Sequence, residues 1–260
     1  MSSIKQQWTD PLLYLATLIA LTVPFILANT HLPLLAPGLP ASAFAVVCPT
    51  IAALLVSRLR HGPQAVRDLL ARTRMPANSS EWGWSVVAVS LPILVTVVSI
   101  LWQGASPRQP SPGLISPAMF ALLGAFVMGA WLEELGWSAF ATEALLPVCG
   151  LIGTGLVIGL VWALWHYVPL LQVGRSMDWI AWWTVGTMSS RLTLVVLYLR
   201  AERNIFAPTL FHACENACWQ AQESLGVPFD PRAQGLAMSV VAALILALSC
   251  RGRIADTKHI

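Results

Sequence analysis

Charge is scarce in this chain. Only 10% of its 260 residues are Asp, Glu, Lys or Arg, and 57% are hydrophobic, where soluble domains carry about 25% charged residues. A surface so poor in charge excludes an ordinary soluble globular protein and points to a polytopic membrane protein. The net charge of +3 gives no argument for a nucleic-acid partner, and none is expected. Cysteine is also rare and odd in number: Cys48, Cys149, Cys214, Cys218 and Cys250 fall mainly within or at the ends of apolar runs. They read as small core residues, not as a disulfide framework. There is no internal repeat and no low-complexity tail.

What the chain has in abundance is long apolar runs. Stretches of about 20 residues occur at 12–29, 39–57, 83–103, 114–138, 149–171, 179–199, 205–221 and 233–250, so the fold class expected is all-α, a helical bundle of about eight transmembrane helices. They leave no room for a separate soluble domain, and residues 1–260 are read as one integral membrane domain. Pro- and Gly-rich breaks at 31–40 and 106–113 are expected to be loops. One side collects Lys5, Arg58, Arg60, Arg67, Arg72, Arg74, Arg200, Arg203, Arg251, Arg253 and Lys258, eleven in all, against Arg108, Arg175 and Arg232 on the other. The positive-inside rule then places a multi-pass protein in the cell membrane with both termini cytoplasmic. The first run is long for a signal peptide and Asp10 interrupts its basic side, so it reads as a span. The segment Ala65–Arg72 alternates apolar and basic residues, which suits a short amphipathic surface helix or a solvated topological anchor. Gly155 and Gly159 would let the fifth span approach a neighbour closely.

Against this background the polar residues inside the spans stand out. Glu133 and Glu134 close the apolar run 118–132, and one acid at bilayer depth costs about 2.5 to 3.5 kcal/mol. His166 and His212 each lie in a later span, with Trp162 one helical turn before the first and Asn216 one turn after the second. A histidine and an amide stacked this way present two donors to one substrate oxygen. Glu133 is placed to act as general base toward a water, and His166 to orient that water or the carboxylate. Taken singly, each histidine has a plainer reading as a satisfied core residue, and the acids as a structural ion pair with Arg191, the one basic residue well inside a span. Cys214 and Cys218 near His212 read as core, not as soft-metal ligands.

The stretches Glu133-Glu-Leu-Gly-Trp137, Gly159-Leu-Val-Trp-Ala-Leu-Trp-His166 and Phe206-Ala-Pro-Thr-Leu-Phe-His-Ala-Cys-Glu-Asn216 together resemble the three motifs of the CaaX-protease and bacteriocin-processing (CPBP, or Abi) intramembrane protease family. The likeness runs over about 40–220. It implies an intramembrane glutamic or metallo-endopeptidase acting on a membrane-associated peptide or lipidated peptide. By that resemblance Glu133 activates the water, His166 assists it, and His212 with Asn216 stabilises the oxyanion, with Glu134, Arg191 and Trp162 in support. No metal ligand is assigned and no cofactor is required, a divalent metal such as zinc being the alternative.

Two positions depart from the family pattern. Ser138 stands where the family has Arg, leaving Glu134 without a local counter-charge unless Arg191 supplies it, and Trp162 stands for the usual Phe. The first departure keeps a second reading open, a non-proteolytic relative serving as a membrane immunity or scaffold protein. A third is an enzyme on an isoprenoid or other lipid, its cationic intermediates held by tryptophan faces. The protease reading expects a site open toward the cytoplasm. It also carries a tension, because the span boundaries put Glu133 near the cytoplasmic end of the fourth helix and His166 near the far end of the fifth.

Overall fold

The computed structural model describes residues 7–31, 41–106 and 116–256, and among them there is no strand. Lys5 and most of the loops expected at 31–40 and 106–113 lie outside the described residues. The helices are α1 (Thr9–His31), α2 (Cys48–His61), which follows a 3-10 stretch at Ala41–Val47, α3 (Pro63–Ala71), α4 (Ser79–Trp102), α5 (Pro117–Glu134), α6 (Glu143–Gln172), α7 (Met177–Arg200), α8 (Phe206–Ser224) and α9 (Pro231–Asp256). Leu135–Thr142, between α5 and α6, is wound as a π-helix.

Six stretches among the described residues are long and apolar enough to cross a bilayer. One of them, Pro117–Gln172, has 56 residues, which at about 1.5 Å per residue is far longer than a hydrocarbon core of about 30 Å. It must fold back, and it does so at Gly150, whose φ of 65° and ψ of −179° is a conformation open essentially to glycine alone. The fourth span therefore continues past 138, where the sequence reading ended it, and the fifth begins after Gly150. Glu133 lies 17 residues before that turn and His166 lies 16 after it. The hairpin brings them to comparable depth and removes the tension between the two boundaries. Helix α8 is too polar to be counted by apolar length because His212, Glu215 and Asn216 lie along it, yet it packs within the bundle, with Phe211 and His212 buried.

Large apolar side chains on the bundle's outer faces, among them Val86, Phe120, Val240, Leu244 and Leu248, are exposed. A patch this extensive has no stable solution in water and is what a lipid-facing surface requires. The chain is a multi-pass all-α membrane protein. The buried hydroxyls of Thr22 and Thr193 fold back on the carbonyl one turn earlier, to Leu18 at 2.8 Å and to Ser189 at 3.1 Å, so these two carry no unmet donor into lipid.

Helix α7 lies between two packing clusters, one around Tyr14, Trp137 and Tyr198, the other around Ala88, Leu194 and Phe211. Its contact with α6 depends on two glycines. A Cβ on Gly155 would stand 2.6 Å from Leu192 Cδ2, and one on Gly159 would stand 2.9 Å from the backbone of Met188. That close approach, foreseen from the small-residue pair, carries Arg191 into the middle of the bundle.

The two ends of the bundle differ. At one end, Arg72 donates to the Ala139 carbonyl at 2.8 Å and pairs with Glu143 at 3.1 Å, Tyr198 donates to Glu143 at 2.9 Å, and Arg203 joins the same carboxylate. Arg74 grips Glu81 through two hydrogen bonds of 2.8 and 2.5 Å, and Asn204 donates to the Arg74 carbonyl. Helix α3, in the arginine-rich segment, buries Leu69 and exposes Arg67 and Asp68, an amphipathic element as its alternation allows. At the other end aromatic contacts dominate: Trp219 stacks on Phe229 at 4.3 Å, Trp179 lies beside both, and the Arg175 guanidinium sits 4.7 Å from the Trp179 ring.

Candidate active site

Glu133 and Glu134 are adjacent, yet they have different surroundings. Glu134 is fully buried and accepts four hydrogen bonds: two from Arg191 at 2.8 and 3.1 Å, one from Ser138 at 2.5 Å and one from His212 Nδ1 at 3.0 Å. A carboxylate so held is an anchor, tying α5, α7 and α8 together through one group. The structural ion pair with Arg191 thus belongs to Glu134. Ser138, which from sequence marked a missing charge, supplies a hydroxyl to the same carboxylate.

Glu133 is 6% exposed and accepts from the Trp162 indole Nε1 at 2.7 Å. The indole is the consequence of having Trp where the family's usual Phe would offer no donor. Trp162 also carries the Arg191 guanidinium over its face at 4.2 Å and meets the rings of His166 and His212 edge-on at 5.4 and 5.1 Å. Trp162 thus contacts Glu133, Arg191 and both imidazoles.

The tautomers follow from the partners. His166 Nδ1 lies 2.8 Å from the Trp162 carbonyl, which only accepts, so Nδ1 carries hydrogen and Nε2 of the neutral ring is left as an acceptor. His212 Nδ1 likewise donates to the Glu134 carboxylate and keeps Nε2 for another partner.

A cavity of about 170 Å³ is lined by Trp162, His166, His212, Glu215 and Asn216, with Trp183 and Ser190 from α7. The structure therefore brings His166, His212 and Asn216 to one space although they come from two helices far apart in sequence. Glu133 is not among the lining residues; it meets the wall through the Trp162 indole. Glu215, which was not among the residues singled out from the sequence, has a polar neighbour in the structure. That neighbour is Ser190, whose hydroxyl donates to it at 2.5 Å, and the carboxylate faces the cavity beside His212. The signal was present in the i, i+3 spacing from His212. Among the tryptophans within and beside the motifs, Trp162 and Trp219 line the cavity, whereas Trp137 is in the core against Tyr14 and Trp165.

Among the described residues no three of His, Cys, Asp or Glu stand close enough to hold a metal, and a catalytic zinc needs three protein ligands. Glu134 has its oxygens engaged by four donors, and Cys214 and Cys218, with sulfurs 3.9 Å apart, contact each other.

Residues 115–218 match the family model described as Type II CAAX prenyl endopeptidase Rce1-like. The matched stretch is similar to an Rce1-like core. It holds all three motifs and every residue just placed around Glu134 and the cavity's two imidazoles. The chain is also similar to CAAX prenyl protease 2 of Methanococcus maripaludis, with 28% identity over 141 residues, 50% of this chain and 49% of that protein. The chain thus spans about half the length of that curated relative. Both comparisons support a protease of the CPBP type in general terms.

Proposed function

We propose that the protein is an intramembrane endopeptidase that hydrolyses a peptide bond in a membrane-associated peptide or lipidated peptide. The observation that carries this reading is the shared cavity: two imidazoles with their Nδ1 positions committed elsewhere, and an amide one turn from the second, all beside a pair of carboxylates. Glu133 takes one proton from a water as the water oxygen attacks the carbonyl carbon, and His166 Nε2 orients that water by accepting a hydrogen bond from its other O–H, which stays on the oxygen. The oxyanion that forms is held by the Asn216 amide and by His212, which in its imidazolium form donates Nε2–H while Nδ1–H stays on Glu134. As the C–N bond breaks, Glu133 returns its proton to the leaving nitrogen. Glu134 and Arg191 touch none of the reacting atoms and act by positioning His212 and Trp162.

One feature favours a second reading, a peptide-binding relative without turnover: Glu133 is held by Trp162 and does not line the cavity. Mass spectrometry of peptides and lipids from cells carrying the native chain, Glu133→Gln or His212→Ala separates the two. The protease reading expects a peptide fragment that disappears in both variants. Fragments that persist unchanged, or a change confined to lipid species, would falsify it.

A further inference from the structure

One carboxylate beside the two imidazoles takes no part in the hydrolytic steps. Glu215 lines the same cavity as His166, His212 and Asn216, and the hydrogen bond it accepts comes from a neutral group, the Ser190 hydroxyl at 2.5 Å. That bond holds Oε1 and leaves Oε2 without a protein donor among the described residues. Among the same residues no lysine or arginine lines the cavity. Arg191 follows Ser190 in the chain, but both of its terminal nitrogens are given to Glu134, at 2.8 and 3.1 Å. His212 is tied to Glu134 as well, through Nδ1.

A carboxylate held away from bulk water is stable when an opposite charge or several donors meet it. Glu134 has four donors and Glu215 has one. The rest of the wall includes Trp183, Trp219, Phe229 and Met238, an apolar lining that suits the methylene stem of a long side chain more than it suits water.

The position of Glu215 matters as much as its charge. On α8 it is three residues after His212 and one before Asn216. Its side chain therefore leaves the helix about 60° around from His212, on the side away from Asn216, after a rise of about 4.5 Å. It flanks the pair assigned to the oxyanion. Consecutive residues of an extended peptide are about 3.3 to 3.6 Å apart. A carbonyl held by His212 and Asn216 thus brings a side chain next to the scissile bond alongside Glu215.

We infer that Glu215 is a specificity-determining residue: its carboxylate receives the ammonium or guanidinium of a lysine or arginine flanking the scissile bond. The substrate class is then a peptide with a basic side chain at the cleavage point. The position of that side chain relative to the bond cut rests on the endopeptidase reading; the cation site itself does not.

The test uses the full chain in lipid nanodiscs. A degenerate peptide library, with cleavage positions read by mass spectrometry, supplies a sequence context, and fluorescent peptides are then compared with lysine, arginine, norleucine or glutamate beside the bond cut. Norleucine keeps the lysine stem and lacks the ammonium. The native chain is expected to show kcat/KM about 10- to 100-fold higher for lysine or arginine than for norleucine, the worth of one charged hydrogen bond. Glu215→Gln is expected to bring the lysine-to-norleucine ratio close to one, mainly through KM, and Glu215→Asp, which keeps the charge, to retain a preference for lysine. A native ratio near one overturns the inference. So does a Glu215→Gln variant that lowers both peptides by the same factor, which would make Glu215 a support for His212 only. A second arm measures Kd of the same peptides by fluorescence anisotropy. If the native chain cuts no library peptide, the endopeptidase reading falls and binding still decides the cation site: a lysine preference lost in Glu215→Gln upholds it, and equal Kd for lysine and norleucine ends it.

Discussion

Removing the Arg191 guanidinium leaves Glu134 as a fully buried carboxylate with two of its four hydrogen bonds gone. Breaking a buried pair by deleting one partner costs about 3 to 5 kcal/mol, and loss of the stack on Trp162 adds about 0.5 to 2 kcal/mol. Arg191→Met, which keeps much of the volume, is therefore expected to lower unfolding stability by at least about 3 kcal/mol, measured by reversible denaturant titration of the detergent-solubilised protein. A lipid-facing control such as Leu244→Met should be nearly silent. The structure also predicts a rescue. Position 138 is one turn from Glu134 and its hydroxyl already reaches that carboxylate, so Ser138→Arg combined with Arg191→Met returns a cation to the same oxygens. Ser138→Arg alone crowds a fully packed site and should destabilise. The reasoning is refuted if Arg191→Met matches the control, or if the double variant is no more stable than Arg191→Met.

Three further outcomes are expected. Trp162→Phe keeps a ring under Arg191 but removes the donor to Glu133, and should raise carbodiimide labelling of Glu133 as read by mass spectrometry; unchanged labelling would mean the indole does not shield that carboxylate. Asn216→Ala should lower kcat on a peptide the native chain cleaves by about 10² to 10³ with KM little altered, and an equal change in KM instead would assign Asn216 to ground-state binding. Gly155→Val places side-chain carbon against Leu192, where a Cβ would already lie 2.6 Å from Cδ2, and should cost about 1 to 3 kcal/mol in the same denaturant titration; a neutral result would refute the tight α6–α7 contact.

The residues of the candidate site stand out in the sequence because a bilayer penalises each of them separately. Glu133, Glu134, Arg191, His166 and His212 are conspicuous in apolar runs for that reason, and the small-residue pair at Gly155 and Gly159 announced where two helices would touch. What pairs with what was not legible. Whether Arg191 meets Glu134 or Glu133 depends on the rotation of α7 about its axis, a few tens of degrees that periodicity does not encode. The Trp162 bond to Glu133 was hidden because indole counts as apolar in a hydropathy reading although it carries a donor. The span boundaries failed at 138 because the π-wound stretch Leu135–Thr142 is as apolar as its flanks, so nothing in composition marks a helix that continues to a turn at Gly150.

That stretch makes the distance from Glu134 to Gly150 a measured length of chain. Backbone hydrogen bonds reaching five residues instead of four take in extra residues without ending the helix, so the winding sets both how far the hairpin extends and which way its first arm faces. One residue added to or taken from 135–149 would turn the carboxylate pair by about 100° relative to the second arm if the helix stayed α-helical. The imidazole at 166 would then face a different residue of the first arm. A loop connecting two spans would absorb such a change, whereas a continuous helix passes it on, so the length of this connection fixes which side chains of the two arms meet.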